Sequence, residues 1–173
     1  QYIRWLGNAL QGDLGISFKY KMDVRQVIKG RIGNTLLLGG MGFGLIFVLS
    51  LLLGILCAQQ EGKMIDRILC QLGTVVSCIP EFWMSLWLIY LFAICFPLLP
   101  LSGAYDMGEA ENVWGRIRHL ILPVTVVVMG HLWNFAYLIR NKILEEIRAD
   151  YILLAKAKGL DRRKIMSVHC LPN

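Results

Sequence analysis

The chain of 173 residues is 56% apolar and only 17% charged, with a net charge of +6 and a mean hydropathy of +0.55. That balance excludes an average soluble domain, and the charges fall in blocks that separate long apolar stretches. The positive excess suits anionic lipid or an acidic protein face and gives no reason to invoke nucleic acid.

Segment 1–34 mixes glycine and charged residues with Trp5, Phe18 and Tyr20, a composition that suits a packed external lid or an interfacial anchor equally well. Residues 35–58 follow with no charge at all. As a helix these 24 residues would be roughly 36 Å long, enough for a tilted crossing of the hydrocarbon layer. Gly39, Gly40, Gly42 and Gly44 within them read as points of close helix approach rather than as a nucleotide loop. After the polar link 59–67, residues 68–96 carry a single charge, Glu81, directly after Pro80, and predict a second span. Residues 120–139 are charge-free, contain His131 and predict a third.

On a straight helix Glu81 would lie about 20 Å past Ile68, near the middle of the layer. A charged side chain there costs on the order of 3 kcal/mol, so it should face protein or water. It would line an internal path or pair with a neighbour; alternatively it is protonated, or caps backbone opened by Pro80, and serves packing. His131, without a second histidine at ligand spacing, reads as a hydrogen-bonded group inside a bundle. Cys57, Cys70, Cys78, Cys95 and Cys170 show neither paired zinc spacing nor a regular framework, so they read as small apolar residues and no metal site is expected.

Three consecutive spans put 59–67 and the segment after 139 on one side, and 1–34 and 98–119 on the other. The first side holds ten Lys and Arg residues and the second eight; the density of positive charge after Ile139 selects that side as cytoplasmic. Three spans are too few to enclose a path in one copy. The chain also opens on Gln1 rather than Met and stops at Asn173 with no signal for an element to end, so it reads as a piece of a longer protein.

The last segment, DYILLAKAKGLDRRKIMSVHCLPN, is polar and basic and breaks at a glycine into two helix-forming pieces. Ile143, Leu144, Ile147, Tyr151 and Leu154 recur at helical spacing as a narrow apolar face opposite Arg148, Asp150 and Lys156. Gly159 supplies the left-handed residue that ends a helix, and Asp161 can cap the next one. The chain carries no GxxxxGK[ST] loop and no HExxH pair, so it holds neither an ATP-hydrolysing loop nor that zinc-protease motif. An intramembrane serine protease would need convergent groups that Ser50, Ser77 and Ser85 with His131 do not supply by pattern.

The order YIRWLGNALQGDLGISF, RIGNTLLL, SCIPEFW and then the final segment resembles the inner-membrane permease subunits of bacterial ABC importers for dipeptides, oligopeptides and nickel, from one end of the chain to the other. The resemblance implies an all-α, polytopic membrane fold, a fragment with one further span before Gln1 and two after Asn173. It implies that 140–173 is a cytoplasmic coupling loop in which Asp150, Tyr151, Ala155, Ala157, Lys158, Gly159, Leu160, His169 and Leu171 seat in a groove of a separate ATPase. Leu153 and Leu154 stand where the general motif has Glu and Ala, and His169 stands for Ile. Small side chains at Ala155, Ala157 and Gly159 suit close docking, and a rigid two-helix knob transmits a rigid-body movement. The implied partners are a second permease, ABC ATPase subunits that bind ATP and magnesium, an extracytoplasmic binding protein near 1–34, and the bilayer. The implied location is the bacterial inner membrane, with peptide as the expected cargo and nickel or a nickel chelate as the alternative. A membrane-embedded enzyme and a non-transporting scaffold are the rival classes.

Overall fold

The computed structural model describes residues 1–106, 108, 112–152 and 159. Among them the order is α1 (Tyr2–Leu10), α2 (Val24–Gln59), α3 (Met64–Ser77), α4 (Glu81–Ile89), a π-helical turn (Tyr90–Cys95) and α5 (Val113–Ile147), and they divide into two units, Gln1–Met41 and Gly42–Asn173.

In the first unit α1 buries no residue. After it the chain reverses through a small turn in which Ser17 N–H donates to the Met22 carbonyl, and Ile16 and Asp23 form an isolated antiparallel bridge. Asp23 Oδ1 accepts from Arg25 N–H at 2.7 Å, satisfying a free donor at the start of α2. The Arg31 guanidinium lies 4.9 Å from the centre of the Tyr20 ring and donates to its hydroxyl at 2.9 Å, a cation–π contact that anchors this aromatic. Phe18 stays almost fully exposed.

In the second unit the packing is set by glycines. A Cβ on Gly42 would come 3.1 Å from Val127, and one on Gly54 would come 2.7 Å from Ile139. Both pairs advance in the same direction along α2 and α5, so these helices run parallel. Of the four glycines expected to allow close approach, Gly42 does so; among the described residues nothing lies within 4 Å of a Cβ built on Gly39, Gly40 or Gly44. Gly54, nearer the helix end, is the tightest of the α2 contacts.

The stretch 68–96 is not one straight helix. α3 and the segment Glu81–Cys95 are bent by 92° at the break between them. The cause is local: Pro80 has no N–H to donate and its ring disfavours helical backbone at Ile79, so α3 stops and Pro80 becomes the extended residue before α4. Its carbonyl then accepts from Trp83 and Met84 N–H. Even so, the contacts step backwards along α5 in order: Asp66 meets Arg140, Gly73 meets Trp133, Glu81 meets Gly130 and Gly103 meets His119. The bent pair travels the length of α5 in reverse, as a single broken span must when the helices before and after it run parallel.

α2 and α5 are each long and apolar enough to cross a membrane, and the bent pair makes a third candidate. Phe43, Phe47, Leu52, Phe82, Leu86 and Trp87 point outward, which in water would be costly and in a bilayer is the expected solvent-facing surface. α5 starts at an Asn112 cap, whose Oδ1 accepts from Gly115 N–H at 3.0 Å. It continues to Ile147, eight residues beyond the expected end of the third span at 139. At 35 residues it is roughly 52 Å long, well over the thickness of the hydrocarbon layer. Residues 140–147, which the sequence assigns to the start of a loop, are the last turns of this helix.

Candidate functional site

Three polar clusters lie along α5, one at each end and one between. In the middle, Glu81 occupies the first turn of α4, where the free N–H groups and helix dipole favour a carboxylate. Its Oε1 lies 3.5 Å from His131 Nδ1, and the two side chains remain 52% and 43% exposed. His131 Nδ1 is also 3.1 Å from the Val127 carbonyl, the better hydrogen bond of the two. The Phe43 ring meets the imidazole edge-on at 6.3 Å between centres. Gly130 makes the pair possible, because a Cβ there would fall 2.3 Å from Glu81 Oε1.

The straight-helix argument for the depth of Glu81 does not hold, since a right-angled bend precedes it. Its neighbour His131 nevertheless sits eleven residues past the start of the charge-free stretch 120–139, roughly 17 Å along the helix axis. Glu81 is level with the middle of that stretch for this reason, and it has a partner that its own segment does not reveal.

At the end nearest Val113, a cavity of about 350 Å³ lies between α4, the segment 100–103 and α5, with Ser85, Ile89, Leu101, Leu122 and Val126 in its walls. His119 closes it. The ring is buried, with Nδ1 3.2 Å from the Gly103 carbonyl and Nε2 3.3 Å from Asp106 Oδ1, while Arg118 donates to the Leu98 carbonyl at 2.7 Å. These contacts strap the segment after α4 onto α5. Nothing in the local pattern singles out His119 beyond its place at the edge of an apolar run.

At the opposite end Asp66 is 3% exposed. Arg140 grips it with Nε on Oδ1 and Nη2 on Oδ2, both at 2.7 Å, and Gly62 N–H adds a bond to Oδ2 at 3.0 Å. Cys70 Sγ donates to Oδ1 at 3.4 Å. Tyr137 donates its hydroxyl proton to the Cys70 carbonyl and lies 3.1 Å from Thr74 Oγ1. Such a bidentate, largely buried pair is held by geometry as well as charge. Counted as one of ten positive charges, Arg140 looks like a surface residue from sequence; its partner is 74 positions away and nothing nearby announces it.

Beyond this clamp, Ile143, Leu144 and Ile147 of the expected apolar face pack on the end of α2, whereas Tyr151 is exposed and Leu154 lies outside the described residues. Ala58, Ile143, Leu144 and Ile152 form a buried cluster with Ile55, Ile139 and Ile147 against it, and Ile152 is 0% exposed. Arg148 pairs with Glu61 beside it, and Tyr151 donates to the Glu146 carboxylate. Of the coupling-loop residues, Asp150 and Tyr151 lie at this point and Gly159 has φ +80°, the left-handed backbone that favours glycine. Ala155, Ala157, Lys158, Leu160, His169 and Leu171 lie outside the described residues.

The family model for the binding-protein-dependent transport system inner membrane component matches residues 50–173. The oligopeptide transport system permease protein AppB of Bacillus subtilis is 33% identical over 174 aligned residues, covering 100% of this chain and 55% of that protein. The dipeptide transport system permease protein DppB of Escherichia coli is 30% identical over 194, covering 100% of this chain and 57% of that protein. The chain spans about half the length of the relatives it matches. With its parallel outer helices, broken middle span and family match over more than half its length, this chain belongs to the inner-membrane components of binding-protein-dependent transport systems.

Proposed function

We propose that the chain is part of a permease subunit that forms half of a peptide translocation path in an ATP-driven importer of the bacterial inner membrane. The observation that carries this reading is the continuity of α5. One unbroken helix links the half-exposed Glu81–His131 pair, level with the middle of the charge-free stretch 120–139, to the apolar cluster that holds Ile143, Leu144 and Ile152. A rigid rod of that kind passes movement at one end to the other, whereas a hinged connection would absorb it.

In this reading a separate ATPase binds ATP and magnesium and grips 150–173, with contacts from Asp150, Tyr151, Ala155, Ala157, Lys158, Gly159, Leu160, His169 and Leu171. Its closure rocks this subunit and a second permease so that a cavity between them opens alternately outward and inward. Glu81 faces that cavity. An extracytoplasmic binding protein delivers the peptide, and the subunit itself catalyses no reaction. The names of the relatives support peptide as the cargo. The test is Gly159→Trp in the full transporter. The left-handed backbone strains under any side chain with a Cβ, and the bulk obstructs docking, so ATP-dependent uptake of a labelled dipeptide into vesicles should fall to background at an unchanged level of the subunit in the membrane. Uptake at the parent rate overturns the coupling assignment.

A further inference from the structure

We infer that Cys57, Cys70 and Asp66 form a binding site for one thiophilic divalent cation of the zinc and cadmium class. Cys57 comes from the end of α2, and Asp66 and Cys70 come from α3 beyond the turn. Their ligand atoms, two thiol sulfurs and a carboxylate oxygen, all lie within 4.8 Å of one another, with Cys57 and Asp66 buried. A cavity of about 10 Å³ opens between Cys57, Cys70, Trp133, Tyr137 and Arg140, room for roughly one water-sized sphere. Soft thiolate ligands select this class of ion, and bond lengths of about 2.3 Å to sulfur require the donors to draw together by no more than about 1 Å.

The charge count also fits. Arg140 lies on Asp66 at 2.7 Å, so with both thiols ionised the cluster has three negative groups and one positive, and a divalent ion balances the difference. Each thiol loses its proton to solvent as its sulfur–metal bond forms, so one ion enters and two protons leave. Once the Cys70 thiol ionises it no longer donates to Asp66 Oδ1, so that oxygen keeps Arg140 and has a lone pair for the ion. A fourth position remains for water. Because the donors lie on both sides of the turn between α2 and α3, an occupied site would staple that hairpin.

The test uses the complete transporter with every other cysteine of the subunit, including Cys78, Cys95 and Cys170, changed to serine. Cadmium is titrated while the ultraviolet thiolate-to-cadmium absorption is followed. One cadmium per chain is expected, with the band lost and affinity reduced at least about tenfold in Cys57→Ser and in Cys70→Ser. Should serine disturb folding, zinc protection against alkylation, read by mass spectrometry on the parent, gives the same answer: both thiols shielded together. Absence of a band in the parent, a band unchanged in either serine variant, or alkylation indifferent to zinc overturns the site. None of these readouts depends on transport.

Discussion

Two acid–base pairs bind the same helix, and they differ in every respect that matters. Asp66 is buried and Arg140 partly so, and they meet in a bidentate contact at 2.7 Å, with Gly62 and Cys70 taking further lone pairs. Glu81 and His131 are half exposed and 3.5 Å apart, and the imidazole N–H already serves Val127. A fully satisfied buried pair is a fastener, because losing either partner strands a charge with no water to receive it. A loose, half-exposed pair keeps free lone pairs and can exchange partners at little cost. The contrast separates the structural electrostatics of this bundle from those available for function.

The largest effect is expected where the fastener is cut. Asp66→Ala strands Arg140 and should lower stability by about 3–5 kcal/mol, seen as a steep fall in the thermal midpoint of the detergent-solubilised subunit. Asp66→Leu combined with Arg140→Met should recover most of that loss, because no charge remains to be desolvated. If the single change is tolerated, the pair is not a fastener. Gly130→Val comes next. It forces a methyl-bearing Cβ into the space of the Glu81 carboxylate and should destabilise the α4–α5 seam by about 1–3 kcal/mol, while the same change at Gly44, whose Cβ would meet no other described residue within 4 Å, should cost far less. Glu81→Gln should have the smallest effect on stability, within about 0.5 kcal/mol, yet reduce peptide uptake on the order of tenfold, equivalent to about 1.4 kcal/mol. Undiminished uptake would remove Glu81 from the translocation path, and a large loss of stability would collapse the distinction between the two pairs.

The long elements were readable because they depend on local composition. Charge-free runs at 35–58 and 120–139 lie inside α2 and α5, and the apolar spacing of Ile143, Leu144 and Ile147 marks the face that meets Ala58. Pro80 signalled a disturbance in the middle segment, but a proline alone does not state whether a helix kinks or turns through a right angle. Gly73 illustrates a different obstacle. It looks like any glycine in an apolar helix, and only the Trp133 ring, 2.5 Å from where its Cβ would be, explains it.

By itself the sequence determined the all-helical membrane class, the stretches able to cross a bilayer and the polar segment that ends the chain, because hydropathy and helix formation are properties of neighbouring residues. Tertiary structure alone decided that α2 and α5 run parallel with a broken span returning between them. It also decided that Asp66 meets Arg140, Glu81 meets His131, and Cys57 meets Cys70. Each pair joins different helices, so its existence depends on which faces the helices turn toward one another. That choice is made by packing at Gly42, Gly54, Gly73 and Gly130, where the absence of a side chain lets another helix or a carboxylate approach.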